Sequence, residues 1–207
     1  MDVLFPYARE HMPEFIEAHA EEPEVRSILN EVAEASGTGF DLNAITRQLL
    51  QWIDEDKKIT PLKALQGMIW KAGYASGDFN GHVYDDVPPV LQSWHAQGIQ
   101  LYIYSSGSVE AQKLLFSNTS AGDLTPLFSG YFDTRIGNKR EAESYRKISK
   151  ETGIPAGEFL FLSDVEQELD AAKQVGMHTL QLVREDTTPS ANHPIAHDFT
   201  EINIKNM

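Results

Sequence analysis

Over residues 9–73 the apolar positions recur at helical rather than strand spacing. Leu42, Ile45, Leu49, Leu50 and Ile53 form one such stripe, and Asp41 ahead of them is suited to accept backbone N–H bonds as an N-cap. Thr60-Pro61 predicts a second helix start, with Thr60 as cap and Pro61 in the first helical position, launching Leu62, Leu65, Met68 and Ile69. Gly73 is expected to end that helix. The charged run from Asp54 to Lys58 reads as a solvated helix end. This half of the chain is therefore expected to be a helical bundle.

The pattern changes at Tyr84. A helix over 87–97, closed by Gly98, leads into an apolar run over 99–104. Further on come helices over 109–116 and 141–151, a strand over 159–162, a helix over 165–175 and a strand over 178–183. Helix alternating with strand predicts an α/β fold with a parallel sheet covered by helices, on which reactive groups sit beyond the C-terminal ends of the strands. Two domains are expected, a helical one over 1–80 and an α/β one over 81–207.

Composition narrows the partners. With 207 residues and 41% hydrophobic content the chain is long enough to bury a sizeable core without staples. Cysteine is absent, which excludes thiolate metal sites and cysteine nucleophiles. A net charge of -14 argues against nucleic acid and anionic membrane surfaces, and no apolar run approaches the roughly 20 residues of a membrane span. A monomer in the cytoplasm, acting on a small molecule, is the expectation.

Three segments carry groups suited to phosphate. An apolar strand ends in Ser105-Ser106-Gly107-Ser108 just before a helix, offering hydroxyls, backbone N–H groups and a helix N-terminus to an anion. The same residues also suit an ordinary turn and cap. Lys139, after Gly137-Asn138, could neutralise phosphate, although a lone lysine before a helix is commonly a solvated surface residue. The strand ending in Ser163-Asp164 presents a carboxylate that can ligate a hard cation such as Mg²⁺, with Glu168 one helical turn beyond. The alternatives are an N-cap for Asp164 and a surface partner for Glu168.

Taken in order, the hydroxyl strand end, the lysine and the acidic strand end resemble the second, third and fourth motifs of the haloacid-dehalogenase phosphohydrolases. Leu4-Phe5-Pro6-Tyr7-Ala8-Arg9-Glu10, the segment Tyr102-Ile103-Tyr104-Ser105-Ser106-Gly107-Ser108-Val109-Glu110-Ala111-Gln112-Lys113-Leu114-Leu115-Phe116 and Glu143-Ser144-Tyr145 further resemble the enolase-phosphatases of methionine salvage. The resemblance covers nearly the whole chain. It implies a haloacid-dehalogenase-like core with an all-helical cap domain inserted after the first strand. It implies conversion of 2,3-diketo-5-methylthiopentyl-1-phosphate to its enol and then, with loss of phosphate, to the acireductone at one Mg²⁺-dependent site. By position, Ser105 and Ser106 would contact the phosphate or adjacent oxygens, Lys139 would stabilise the phosphoryl group, Asp164 would ligate Mg²⁺, and Glu168 would be an accessory acid near the metal.

One motif departs from the pattern. The family's Asp-x-Glu-Gly-Thr-Thr, whose first Asp is nucleophile and metal ligand, is expected upstream of Leu4 and has no counterpart here. Asp2 precedes the first helix rather than ending an apolar strand and does not replace it. The missing strand would lie between the strands ending at Ser105 and Asp164, so both are expected to have bare edges and the chain to be unstable, rearranged or paired, as a truncated and inactive or impaired enzyme. The alternatives are a phosphatase of the same superfamily with another phosphorylated substrate, and a catalytically dead protein that binds a phosphorylated ligand. His193 and His197 are spaced as a helical metal pair, but Pro194 disfavours helix there. Trp52, Trp70 and Trp94 read as packing anchors, and Tyr74, Ser76, Gly77 and Phe79 as a hinge, the alternative being an approach to the methylthio end of the substrate.

Overall fold

A computed structural model of the chain describes residues 4–204; Asp2 lies outside them. The fold divides into two compact units, Met1–Asn80 and Gly81–Met207.

The first unit consists of helices α1 (Leu4–His19), α2 (Pro23–Ser36), α3 (Leu42–Asp54) and α4 (Thr60–Ser76). Asp41 caps α3, its carboxylate accepting the Asn43 N–H at 3.1 Å. Thr60 is not the cap of α4. Ile59 holds that position without a side-chain bond, and Thr60 is already helical. Nor does Gly73 end the helix, which continues to Ser76 and stops at Gly77 with φ of 78°. Gly73 is buried for a different reason: a Cβ there would lie 2.6 Å from the Phe79 ring and 2.7 Å from the Tyr7 ring. The glycine lets those aromatics pack onto the helix. The apolar stripes of all four helices meet in one core around Met12, Ile16, Leu29, Ile45, Leu49, Trp52, Leu65 and Ile69. At the end of α3, Asp54 pairs with Arg9 and Glu55 with Lys57 on the exposed face.

The second unit opens with α5 (Val87–Ala96) and β1 (Leu101–Tyr104), followed by α6 (Val109–Ser117), β2 (Phe128–Phe132), α7 (Ala142–Thr152), β3 (Leu160–Ser163), α8 (Glu166–Lys173), β4 (His178–Leu182) and β5 (Ile195–Ala196). Every strand pairing is parallel. Strands β2 and β5 add to the pattern legible from hydrophobic spacing. The strands form two ladders, β1-β2 and β3-β4-β5, with no backbone ladder between β1 and β3 among the described residues. Their side chains nevertheless meet. The Tyr102 and Phe159 rings lie 6.3 Å apart, and Tyr104 and Phe161 both pack edgewise on Tyr145 of α7, at 5.7 and 5.0 Å. Early residues face early and late face late, so β1 and β3 run in the same direction and present their C-terminal ends on one side. Trp94 is buried in the core between α5 and the strands.

Candidate active site

The site is built at the C-terminal ends of β1 and β3. Beyond β1 the chain turns sharply: the Ser105 N–H donates to the Phe132 carbonyl at 3.1 Å, and the Ser105 hydroxyl accepts the Gly107 N–H at 3.2 Å. Ser106 is exposed at the tip. The N-terminus of α6 is already largely engaged. Asp133 Oδ2 accepts the Val109 N–H at 3.3 Å, and the Ser108 hydroxyl accepts that of Ala111 at 3.2 Å. An anion at this turn would therefore meet the serine hydroxyls rather than the first turn of α6. The Asp133 carboxyl is held below its usual range by hydrogen bonding from Arg135, against the opposing effect of burial and with further backbone donations from Arg135 and Val109.

Lys139 is not a solvated surface lysine. Its ammonium lies 2.7 Å from Glu168 Oε2, with side-chain exposures of 24% and 10%, and 6.0 Å from the centre of the Tyr104 ring. The segment leading to it is fixed along its length. Gly137 has φ of 146°, where a Cβ would strike the Ser144 hydroxyl. The hydroxyls of Tyr104, Ser144 and Tyr145 donate to the carbonyls of Gly137, Asn138 and Lys139 respectively. Burial pushes the phenols of Tyr104 and Tyr145 up, so both remain donors at ordinary pH.

At the end of β3 the two acids have different occupations. Glu168 is buried rather than a surface partner, and accepts from the Ser163 hydroxyl at 2.8 Å as well as from Lys139. Asp164 is not a helix cap: Val165 occupies that position without a side-chain bond. Its exposed carboxylate takes no hydrogen bond among the described residues, while its main-chain carbonyl accepts from Gln181 Nε2 at 3.1 Å. Gln181, nearly fully buried in β4, also donates to the Thr188 carbonyl and accepts the Ser190 N–H, tying the loop after β4 to the Asp164 turn. The structure thus joins Lys139 to Glu168 directly. No hydrogen bond links Ser105 or Ser106 to Lys139 or Asp164 among the described residues.

Asp133, Gln112 and Gln181 organise these turns and escaped sequence reading. A polar residue at a buried position of the apolar strand β4 was the available signal for Gln181; Asp133 and Gln112 act through contacts across the fold. His193 and His197 do not pair. His193 is buried between the Thr179 hydroxyl at 2.8 Å and Asp170 at 3.1 Å, whereas His197 is exposed beside Tyr84 and Arg184. No group of three or more His, Asp or Glu residues suited to a metal occurs among the described residues. The unpaired Asp164 carboxylate fits Mg²⁺, which commonly takes one or two carboxylates and fills its other positions with water and substrate phosphate. Glu168, held by Lys139 and Ser163, has less to offer a cation.

A parallel sheet flanked by helices, with hydroxyl, lysine and carboxylate at successive loops, defines a class. A family profile for haloacid dehalogenase-like hydrolases matches residues 4–176, and the chain belongs to that family. Its curated relatives carry a more particular name. Enolase-phosphatase E1 of Thioalkalivibrio sulfidiphilus is 54% identical over 98% of this chain and 91% of the relative. That of Methylococcus capsulatus is 53% identical over 97% and 89%. The chain is thus a phosphatase of the enolase-phosphatase kind. Among solved structures, the UTR4 protein of Saccharomyces cerevisiae superposes with a TM-score of 0.81 at 32% identity, covering 97% of this chain and 90% of that one. CbbY of Rhodobacter sphaeroides in complex with phosphate, at 19% identity, shares the fold with a TM-score of 0.57, over 87% of this chain and 90% of its own.

Proposed function

We propose that the site belongs to a Mg²⁺-dependent enolase-phosphatase of methionine salvage, which enolises 2,3-diketo-5-methylthiopentyl-1-phosphate and removes its phosphate to give the acireductone. The observation that carries this reading is the largely buried Lys139–Glu168 pair at 2.7 Å, together with an Asp164 carboxylate at the end of β3 that takes no hydrogen bond among the described residues. In this reading the helical unit serves as the cap domain. Ser105 and Ser106 donate hydroxyl hydrogens to the phosphate oxygens, and Lys139 sets its ammonium against the charge that spreads over them during transfer. Glu168 keeps that ammonium in place while the site is empty. Asp164 would hold Mg²⁺, whose chemistry there is charge neutralisation on the phosphoryl oxygens.

The nucleophile is not among the described residues. Among the described residues no apolar strand ending in a carboxylate lies between β1 and β3. Phosphoryl transfer through a covalent aspartyl intermediate needs such a group, so the chain as given is proposed to be inactive or impaired. The test is Mg²⁺-dependent phosphate release from the diketo phosphate, by this chain and by a form extended upstream through an apolar strand ending in Asp-x-Glu. Release by the extended form alone supports both the activity and the missing nucleophile. Release by the chain as given would overturn the account of the nucleophile. Release from sugar phosphates but not from the diketo phosphate by the extended form would point to another substrate, and ligand binding without release by either form would point to a silent binding protein.

A further inference from the structure

The turn that carries Ser105 and Ser106 is held from inside by one buried amide. Gln112, on α6, is 5% exposed. Its Nε2 donates to the Gly107 carbonyl at 2.8 Å and to the Phe132 carbonyl at 2.9 Å. The Phe132 carbonyl also accepts the Ser105 N–H at 3.1 Å. A single nitrogen therefore fixes both ends of the three-residue turn, Gly107 directly and Ser105 through the shared carbonyl. The other half of the amide has no such employment: Gln112 Oε1 is buried with no partner among the described residues. A buried acceptor left unpaired is unfavourable, and methionine would fill much the same space without one. Glutamate would bring no donor, and asparagine is one methylene too short to span the same two carbonyls. What an amide of this length supplies here, and its neighbours in size do not, is the pair of donated hydrogens.

We propose that Gln112 is a positioning residue for the phosphate-binding turn, holding the Ser105 and Ser106 hydroxyls in the geometry that an incoming phosphate meets. The proposal rests on the role suggested above for those serines, and the experiment separates the two. The ¹⁵N-labelled chain and its Gln112→Met, Gln112→Asn and Ser106→Ala variants would be titrated with inorganic phosphate in the presence of Mg²⁺, with amide resonances and melting temperatures recorded for each. Gln112→Met is expected to move the Ser105 and Gly107 resonances and to weaken phosphate binding about five- to tenfold, the scale of losing one or two hydrogen bonds, while most of the chain stays folded. Ser106→Ala is expected to weaken binding while leaving the Ser105–Phe132 bond in place, so that the Gly107 resonance moves only by the amount that a changed preceding residue brings and less than in Gln112→Met.

Unchanged resonances and affinity in Gln112→Met would overturn the proposal. So would a loss of binding that merely tracks the fraction unfolded. Weaker binding in Ser106→Ala alone would keep the phosphate role of the serines and remove Gln112 from it. Displaced Ser105 and Gly107 resonances in Gln112→Met, with phosphate affinity insensitive to both substitutions, would instead overturn the phosphate role on which the proposal rests. Should Gln112→Met fail to fold, Gln112→Asn, which keeps a polar amide but loses the span, is read by the same two measurements and the same criteria.

Discussion

The two units solve different problems with the same kind of helix. Of the polar or charged residues buried among the described residues, Gln66 alone lies in the helical unit, whereas Gln112, Thr119, Asp133, Ser144, Ser163, Glu168, Thr179, Gln181 and His193 all lie in the α/β unit. The first unit gathers its apolar stripes into one core; the second divides its apolar residues between two smaller clusters and threads hydrogen-bonded polar groups between strand ends. Hydrophobic burial is non-directional, while a buried polar group must find its partner at a set distance and angle. Positional accuracy is therefore concentrated in the unit that holds the candidate site.

The sharpest way to break this contrast is to cut into each unit by its own means. Leu65→Ala, in the middle of the helical core, should cost about 2–5 kcal/mol through lost burial and a residual cavity, measured by urea denaturation. A cost near zero would mean that the core is loosely packed. In the α/β unit Glu168→Ala strips Lys139 of its partner and should cost about 2–4 kcal/mol, the partial exposure of the lysine keeping it below the full penalty for an uncompensated buried charge. Combining Glu168→Leu with Lys139→Met should recover most of that loss while abolishing any phosphate affinity that depends on Lys139. Recovery of both would show that the pair serves neither specificity nor ligand binding.

A smaller effect comes from two glycines of one helix. Gly73→Ala should cost about 1–3 kcal/mol because the new methyl meets the Tyr7 and Phe79 rings. Gly67→Ala, where a Cβ meets nothing within 4 Å, should gain about 0.5–1 kcal/mol from helix propensity. Equal effects at the two sites would contradict the close approach at Gly73. Acid supplies the last comparison. The Asp133 carboxyl is depressed in the folded state, so its contribution is present above the unfolded value of about 4 and is lost as pH falls through the lower folded value. Asp133→Asn should flatten the fall of melting temperature between neutral pH and pH 3. Asp54→Asn, at the exposed Arg9 pair of the helical unit, should change that profile little.

Where periodicity decided, the sequence was enough. The helix cap at Asp41, the alternation of helices with β1, β3 and β4, and the acidic end of β3 could all be read from spacing and neighbouring glycines. Gly73 misled because a glycine near the end of an apolar stripe can mark either a stop or a close packing contact, and only the rings of Tyr7 and Phe79 distinguish the two. β2 was missed because Ser129-Gly130 interrupts its apolar run, and β5 because two residues carry no period. The candidate lysine and carboxylates were legible as residue types, but not their pairing. Whether Lys139 faced solvent or Glu168 depends on how the 137–139 turn is tied to Tyr104, Ser144 and Tyr145, which are up to 33 positions away in the chain.

The engagement of Lys139 with Glu168 also bears on how fast an anion could arrive. On a chain with a net charge of -14, a free ammonium would be a local beacon for a phosphate monoester. Here that charge is cancelled by its neighbour at 2.7 Å, and in the proposed function it would become available only as a ligand displaces the carboxylate. Encounter would gain nothing from this cation at long range, and the association rate should lack the steep rise at low ionic strength that marks electrostatic steering. Recognition would then be deferred to contact, where exchanging one oxygen anion for another would cost the lysine little and would let the site reject anions that reach it without the shape to complete the exchange.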